Sequence, residues 1–460
     1  TVRYSWDAPN PLFLPALAAA RPLYLYKPAH YLRQYHVSYA NADDMDEMVE
    51  EQRVQGWSNV HARMGRQYRP ENPDLPSLQP WVNTTKPPAK RFVFERNPYY
   101  HRVDEEGIQL PYIDRVILTV AETQVIPAKV GTGEADLQER YLRFDDFTFL
   151  RAAAKRNRFE VDLWERASGS AFALYPNLNA KDPVWRALMR DKRFRHALSL
   201  GIYREEVNQV LFYGLATPSA NTVLPKSPLF RQELRDAFTD FDLDRANALL
   251  DEIGLKRTDK DGLRTLPDGR PLSIIVDTAG ESTLDADILS LISESWRELG
   301  IELITRASQR DIFRRRIIAG ETLMSAWTGV NNGLPTAVMP PNDFIPYESS
   351  HLQWPAWGKF RESKGKGGEA IDYPPAQALM DAYGVWLRSR TKEEKTAAWN
   401  TILDIHAEEV FTIGVVNGHK QPVVRTSKLR NVPKDGVLSY TPTAYFGVYK
   451  PDRFWLDLNE

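Results

Sequence analysis

Residues 272–327 read LSIIVDTAGESTLDADILSLISESWRELGIELITRASQRDIFRRRIIAGETLMSAW. Three short β-rich runs, 272–278, 301–305 and 322–327, alternate there with two helical ones. In 284–299 the apolar residues Leu284, Ile288, Leu291, Ile292, Trp296 and Leu299 recur at helical spacing, and 312–319 repeats the pattern more briefly. A strand–helix–strand–helix–strand order with short connections predicts an α/β domain whose parallel sheet is built from right-handed crossovers. Open sheets of this kind take ligands outside the carboxyl ends of their strands. Trp327 stands at the end of the third strand, and that makes it the first candidate contact.

Outward from this unit, helical spacing continues upstream in 184–189 and 194–200. It returns in a short helix opened by Asp242, with Ala246, Leu249, Leu250 and Ile253 on one face and Gly254 as its stop. Downstream, 328–375 is long, weakly patterned and rich in Pro, Gly, Asn and aromatic residues. It reads as a loop with a mobile tip at 364–368, and loops of that length are usually functional or disordered. Helices are expected again at 375–387 and 391–410, the second opened by a capping box of Thr391 and Glu394. Nearer the start, 43–66 reads as one helix, 68–91 as a proline-rich extended stretch, and 92–97, 114–123, 159–164 and 171–177 as strands.

Composition removes several function classes. The 460 residues carry 59 Lys and Arg against 61 Asp and Glu, a formal net charge of −2, which is no footprint for nucleic acid. No cysteine is present, so disulfides, thiol nucleophiles and thiolate metal sites are all excluded. No run approaches the ~18 apolar residues of a membrane-spanning helix. The chain opens at Thr1 with no start methionine and no charged-then-apolar export segment.

Catalytic motifs are absent too. There is no phosphate loop, no H-E-x-x-H and no G-x-S-x-G. Gly131 and Gly133 lack the third glycine of a dinucleotide fingerprint and follow a helix. The eight histidines include no i, i+4 pair. An α/β hydrolase would have to use scattered carboxylates such as Asp145 and Glu281. No metal and no cofactor is expected.

Five stretches in collinear order carry a family resemblance. They are FERNPYY (94–100) followed by QLPYIDRV (109–116), then KVGTGEADLQ (129–138), DKRFRHALSLGIYREE (191–206) and NALLDEIGL (247–255). Together they resemble the large extracellular solute-binding proteins of ABC importers, family 5, whose members take peptides, nickel or oligosaccharides. The resemblance implies a two-lobed α/β fold of the periplasmic-binding-protein type II class, with an accessory domain and a ligand cleft between the lobes. It places residues 1–30 at the end of the accessory domain, 31–180 in the first lobe, 181–425 in the second and 426–460 back in the first. Members of the family begin well upstream, so the chain is expected to be the C-terminal two-thirds of a longer protein. A periplasmic or surface-lipoprotein location, a monomeric state and an inner-membrane permease as partner are implied in the same way, and enzymatic activity is not.

By that resemblance, Trp327 and the loop after it contribute ligand contacts. Peptide-binding relatives carry an acidic residue a few positions beyond that Trp, to meet a peptide's ammonium group. Here Thr328, Gly329, Val330, Asn331, Asn332, Gly333 and Leu334 include no acid, and the first one is Asp343. Carboxamides both donate and accept, and indole faces suit sugar rings, so Trp327, Thr328, Asn331, Asn332, Trp354 and Trp357 are the candidate ligand residues. An oligosaccharide or other neutral solute is favoured over a peptide. Core packing is the alternative role for the tryptophans.

Overall fold

The computed structural model describes residues 3–19, 27–67, 69–257 and 262–458. By contacts the chain divides into two compact units. One comprises Thr1–Ala20, Trp164–Gln421 and Gly436–Tyr445; the other comprises Arg21–Leu163, Pro422–Asp435 and Phe446–Glu460.

The first unit is organised by a five-stranded sheet. Its order is Ile413–Gly414, Ala173–Pro176, Met324–Trp327, Ser273–Thr278 and Glu302–Ala307. The last three strands pair in parallel, as the spacing predicts, with the helices Thr283–Glu298 and Arg310–Ile318 as crossovers. Each boundary lies within a few residues of its expected place. The whole sheet, however, is mixed: Met324–Trp327 pairs antiparallel with Ala173–Pro176, which pairs antiparallel with Ile413–Gly414. The two outer partners come from chain about 150 residues upstream and 90 residues downstream, beyond the reach of local periodicity.

Register assigns the two faces of the sheet. Met324 lies beside Val276, and Ala326 beside Leu174. All four are buried in the main core with Ile288, Ile292 and Trp296 of the first crossover helix. Side chains alternate along a strand, so Ser325, Tyr175, Asp277 and Trp327 occupy the opposite face. Asp277 is fully buried there, and Arg306 holds it through two hydrogen bonds of 2.8 Å, with Arg316 close by at 3.3 Å. A desolvated carboxylate needs such partners.

Two expectations change in this unit. The stretch 328–375 is not an open loop: it contains a 3-10 turn at Asn342–Phe344 and a helix at Pro355–Glu362. The 364–368 segment is tied back, with Ser363 Oγ accepting from Gly367 N at 2.9 Å and Glu369 N donating to Ala356 O. Helices Pro374–Arg388 and Lys392–Glu409 follow, and the capping box of Thr391 and Glu394 is formed as expected.

The second unit contains a three-stranded antiparallel sheet of Trp81–Asn83, Arg91–Arg96 and Arg115–Thr119. A separate apolar cluster there joins Val130, Leu150, Phe159, Val161 and Val424. The single helix expected over 43–66 is two, Ala42–Glu51 and Trp57–Met64, parted where Arg53 turns to a φ of 52°.

Buried histidines make the first unit acid-sensitive. His196 stacks on Phe238 at 3.6 Å with Nε2 2.7 Å from Glu408 O, and His406 Nε2 lies 2.7 Å from Phe344 O. Burial pushes both down to about 4, from 6.5. Both rings are therefore neutral in the fold but take a proton near pH 6.5 once unfolded. Their stabilisation is complete above about 6.5 and is lost as pH falls towards 4. Between pH 6.5 and 5, each histidine should cost about 2 kcal/mol of unfolding free energy. Urea midpoints at pH 7 and pH 5 check this, and midpoints that do not fall would contradict it.

Candidate functional site

The chain leaves the sheet at Trp327 and enters a loop, 328–335, whose backbone is clamped. Gly329 N donates to Ser170 O at 2.9 Å, Val330 N to Asn221 Oδ1 at 2.9 Å, and Gly333 N to Ala167 O at 2.6 Å. In return Val330 O accepts from Gly169 N at 2.8 Å, and Gly333 O from Leu224 N at 2.7 Å. Two glycines permit this approach. A Cβ on Gly333 would stand 2.7 Å from both Ala167 O and Leu224 Cγ, and one on Gly329 would overlap Asn221 Oδ1 and the Ser170 amide.

With the backbone turned inward, the polar side chains project outward. Thr328 and Asn331 are exposed, and neither side chain bonds to a described residue. Asn332 is half-buried, and its Oδ1 caps Leu334 N at 3.0 Å, which leaves its amide NH2 free to donate. Tyr175, from the neighbouring strand, supports the loop by donating its hydroxyl to Thr328 O at 2.6 Å. Burial pushes that phenol upward, and Asp343 adds to the effect.

The sequence places no acid in this loop, but the fold brings one to it. Asp343, in the 3-10 turn twelve residues on, accepts from Asn331 N at 3.1 Å. Burial raises its carboxyl; nearby His351 and the Asn331 and Asn332 amides oppose that rise. The carboxylate is turned onto the loop's own N–H groups. No local pattern foretells this contact, because it depends on where the turn folds back.

The tryptophans separate into two roles. Trp327 is half-buried: its ring stacks on Phe313 at 6.0 Å, and the Arg310 guanidinium lies 5.1 Å from its centroid. Arg310 is itself held by Glu281, through Nε to Oε1 at 2.7 Å. Trp327 thus packs the helix Arg310–Ile318 onto the sheet and keeps part of its surface open. Trp354 and Trp357 are 0% and 1% exposed. Trp354 meets Phe411 and His406 edge-on and donates to His351 Nδ1 at 3.1 Å; Trp357 stacks on Tyr373 with Arg190 over its ring. A ring without accessible surface has no face to offer a ligand, so the expectation for these two is corrected: they are core. Among the described residues no cluster of His, Cys, Asp or Glu could hold a metal ion, and no helix is long and apolar enough to cross a membrane.

Residues 1–345 match the profile of the bacterial extracellular solute-binding proteins, family 5 middle region, and the chain belongs to that family. It is 24% identical over 375 residues to the periplasmic alpha-galactoside-binding protein of Rhizobium meliloti (strain 1021), covering 78% of this chain and 52% of that protein. The chain therefore spans about half the length of that relative. Among solved structures, an oligopeptide-binding protein OppA is similar at 30% identity and a TM-score of 0.62, over 98% of this chain and 73% of its own. The binding protein MelB of Agrobacterium fabrum C58, in complex with stachyose, is similar at 19% identity and a TM-score of 0.72, over 94% of this chain and 62% of its own.

Proposed function

We propose that this chain belongs to the substrate-binding component of an ABC importer, and that it captures a neutral oligosaccharide outside the cytoplasm for a membrane permease. The observation that carries the reading is the clamped loop. It presents the Thr328 hydroxyl and the Asn331 and Asn332 carboxamides beside a half-open Trp327, while the nearest carboxylate is spent on the loop's own amides. Hydroxyl-rich ligands need partners that both donate and accept, and a sugar's C–H face suits an indole. The likeness to the alpha-galactoside-binding protein supports this choice and suggests α-galactosides as probes. In this reading the chain binds without performing chemistry, and its place is the periplasm or the cell surface. Oligopeptide capture is the second reading, favoured by the 30% identity to the oligopeptide-binding protein.

The test is a thermal-shift and calorimetric titration of the full-length protein with stachyose and raffinose, beside a pentapeptide. The sugars should raise the melting temperature and the peptide should not. Trp327→Ala should weaken stachyose binding about tenfold, the equivalent of ~1.4 kcal/mol. Stabilisation by the pentapeptide alone would replace the sugar reading with the peptide one.

A further inference from the structure

A second aromatic feature lies beside the same loop, on chain that local sequence reading did not single out. The segment Gly436–Tyr445 returns to the first unit, and there Ser439 Oγ donates to Asn331 O at 2.9 Å. The segment is a closed turn of its own. Ser439 N donates to Thr443 Oγ1 at 3.0 Å, Thr443 Oγ1 to Ser439 O at 2.8 Å, and Tyr445 N to Ser439 O at 2.8 Å. Ser439 and Thr443 are buried, and Ala444 and Tyr445 are held at φ of 47° and 55°. Non-glycine residues keep that left-handed backbone only where their surroundings impose it.

This turn displays two rings. Tyr440 is 43% exposed although it adjoins buried Ser439, and its ring centroid lies 6.0 Å from that of half-buried Tyr445, with the planes at 54°. Tyr440 is thus a large aromatic surface carried on an ordered turn that is bonded to the loop holding the Asn331 carboxamide. Charge narrows the class of ligand. Neither 328–335 nor 436–445 contains a charged residue of its own. The charges beside them include Asp343, which accepts from Asn331 N, and Glu165 and Arg166, which pair with Val437 and Leu438, Glu165 being matched by Lys226. A surface meant for a peptide's termini or an anionic solute would carry counter-charges, whereas a pyranose needs an aromatic face and neutral hydrogen-bonding groups.

We infer that Tyr440, flanked by Tyr445, is a stacking platform for one sugar ring of the ligand, whose hydroxyls the Asn331 carboxamide meets. This rests on the oligosaccharide reading above and adds a specificity-determining residue to it. The experiment titrates stachyose and raffinose into the full-length wild-type protein, Tyr440→Ala and Tyr440→Phe, with melting temperatures measured in parallel. Tyr440→Ala should weaken stachyose binding about tenfold, and Tyr440→Phe, which keeps the ring, should stay within about threefold of wild type. Without sugar Tyr440→Phe should melt with the wild type, and Tyr440→Ala, which loses its packing on Tyr445, is titrated at a temperature where it is fully folded. If the wild type binds stachyose and Tyr440→Ala binds it equally well, this inference fails and the oligosaccharide reading stands. If the wild type binds neither sugar, both fail together.

Discussion

Gly329→Ala should abolish measurable sugar binding and lower unfolding free energy by about 3 kcal/mol, the upper range for overpacking a well-packed site. The backbone conformation is not the obstacle, since Gly329 does not adopt a positive φ. Space is. The added methyl would overlap the Ser170 amide, which is main chain and cannot rotate away, and the Asn221 carboxamide. Asn221 can yield only by giving up its bonds to Val330 N at 2.9 Å and to Thr412 Oγ1 at 3.0 Å, both buried. A buried donor left without an acceptor adds its own penalty. The strand end is fixed by its sheet partners, so the loop would have to lift, carrying Thr328 and Asn331 with it. Urea denaturation and stachyose titration of the same preparation check the two effects. A variant with the wild-type midpoint and affinity would show that the clamp does not set the loop.

Trp354→Ala should lower stability by about 4 kcal/mol through loss of a buried indole and the cavity left behind. Its ring is enclosed by Phe411 and His406, and its N–H reaches His351 Nδ1. No compact rearrangement of these aromatics refills that volume, so little of the cost is recovered. At a temperature where the variant stays folded, stachyose affinity should remain within about threefold of wild type, since a fully buried ring contributes no contact energy to a ligand. Trp327→Ala should do the reverse, with a large loss of affinity and a smaller loss of stability. An unchanged urea midpoint for Trp354→Ala, together with lost binding, would return Trp354 to the ligand surface and overturn its place in the core.

These two tryptophans show where reading by residue type stops. Trp327 and Trp354 are identical as letters, and both fall near glycine and proline. Only one follows a strand whose end is predictable from its spacing. Trp354 precedes a helix that the surrounding prolines and glycines concealed, and burial was decided by packing against Phe411 and His406, more than fifty residues away in sequence. Asp343 shows the same limit in the opposite sense. In the sequence it is only the first acid beyond an acid-free loop, and the fold sets its carboxylate on Asn331 N.

The sequence by itself determined the parallel half of the sheet, its two crossover helices and the position of Trp327 at a strand end. Those features follow from side-chain period and helix caps, which act over a few residues. Collinear motifs also pointed to the family. Only the tertiary structure decided the antiparallel partners of the central strand, the burial of Trp354 and Trp357, the approach of Asp343 and the return of Ser439 to Asn331. Each of these joins segments that are distant in the chain or turned by packing, and such contacts are selected by how whole surfaces fit rather than by local preference.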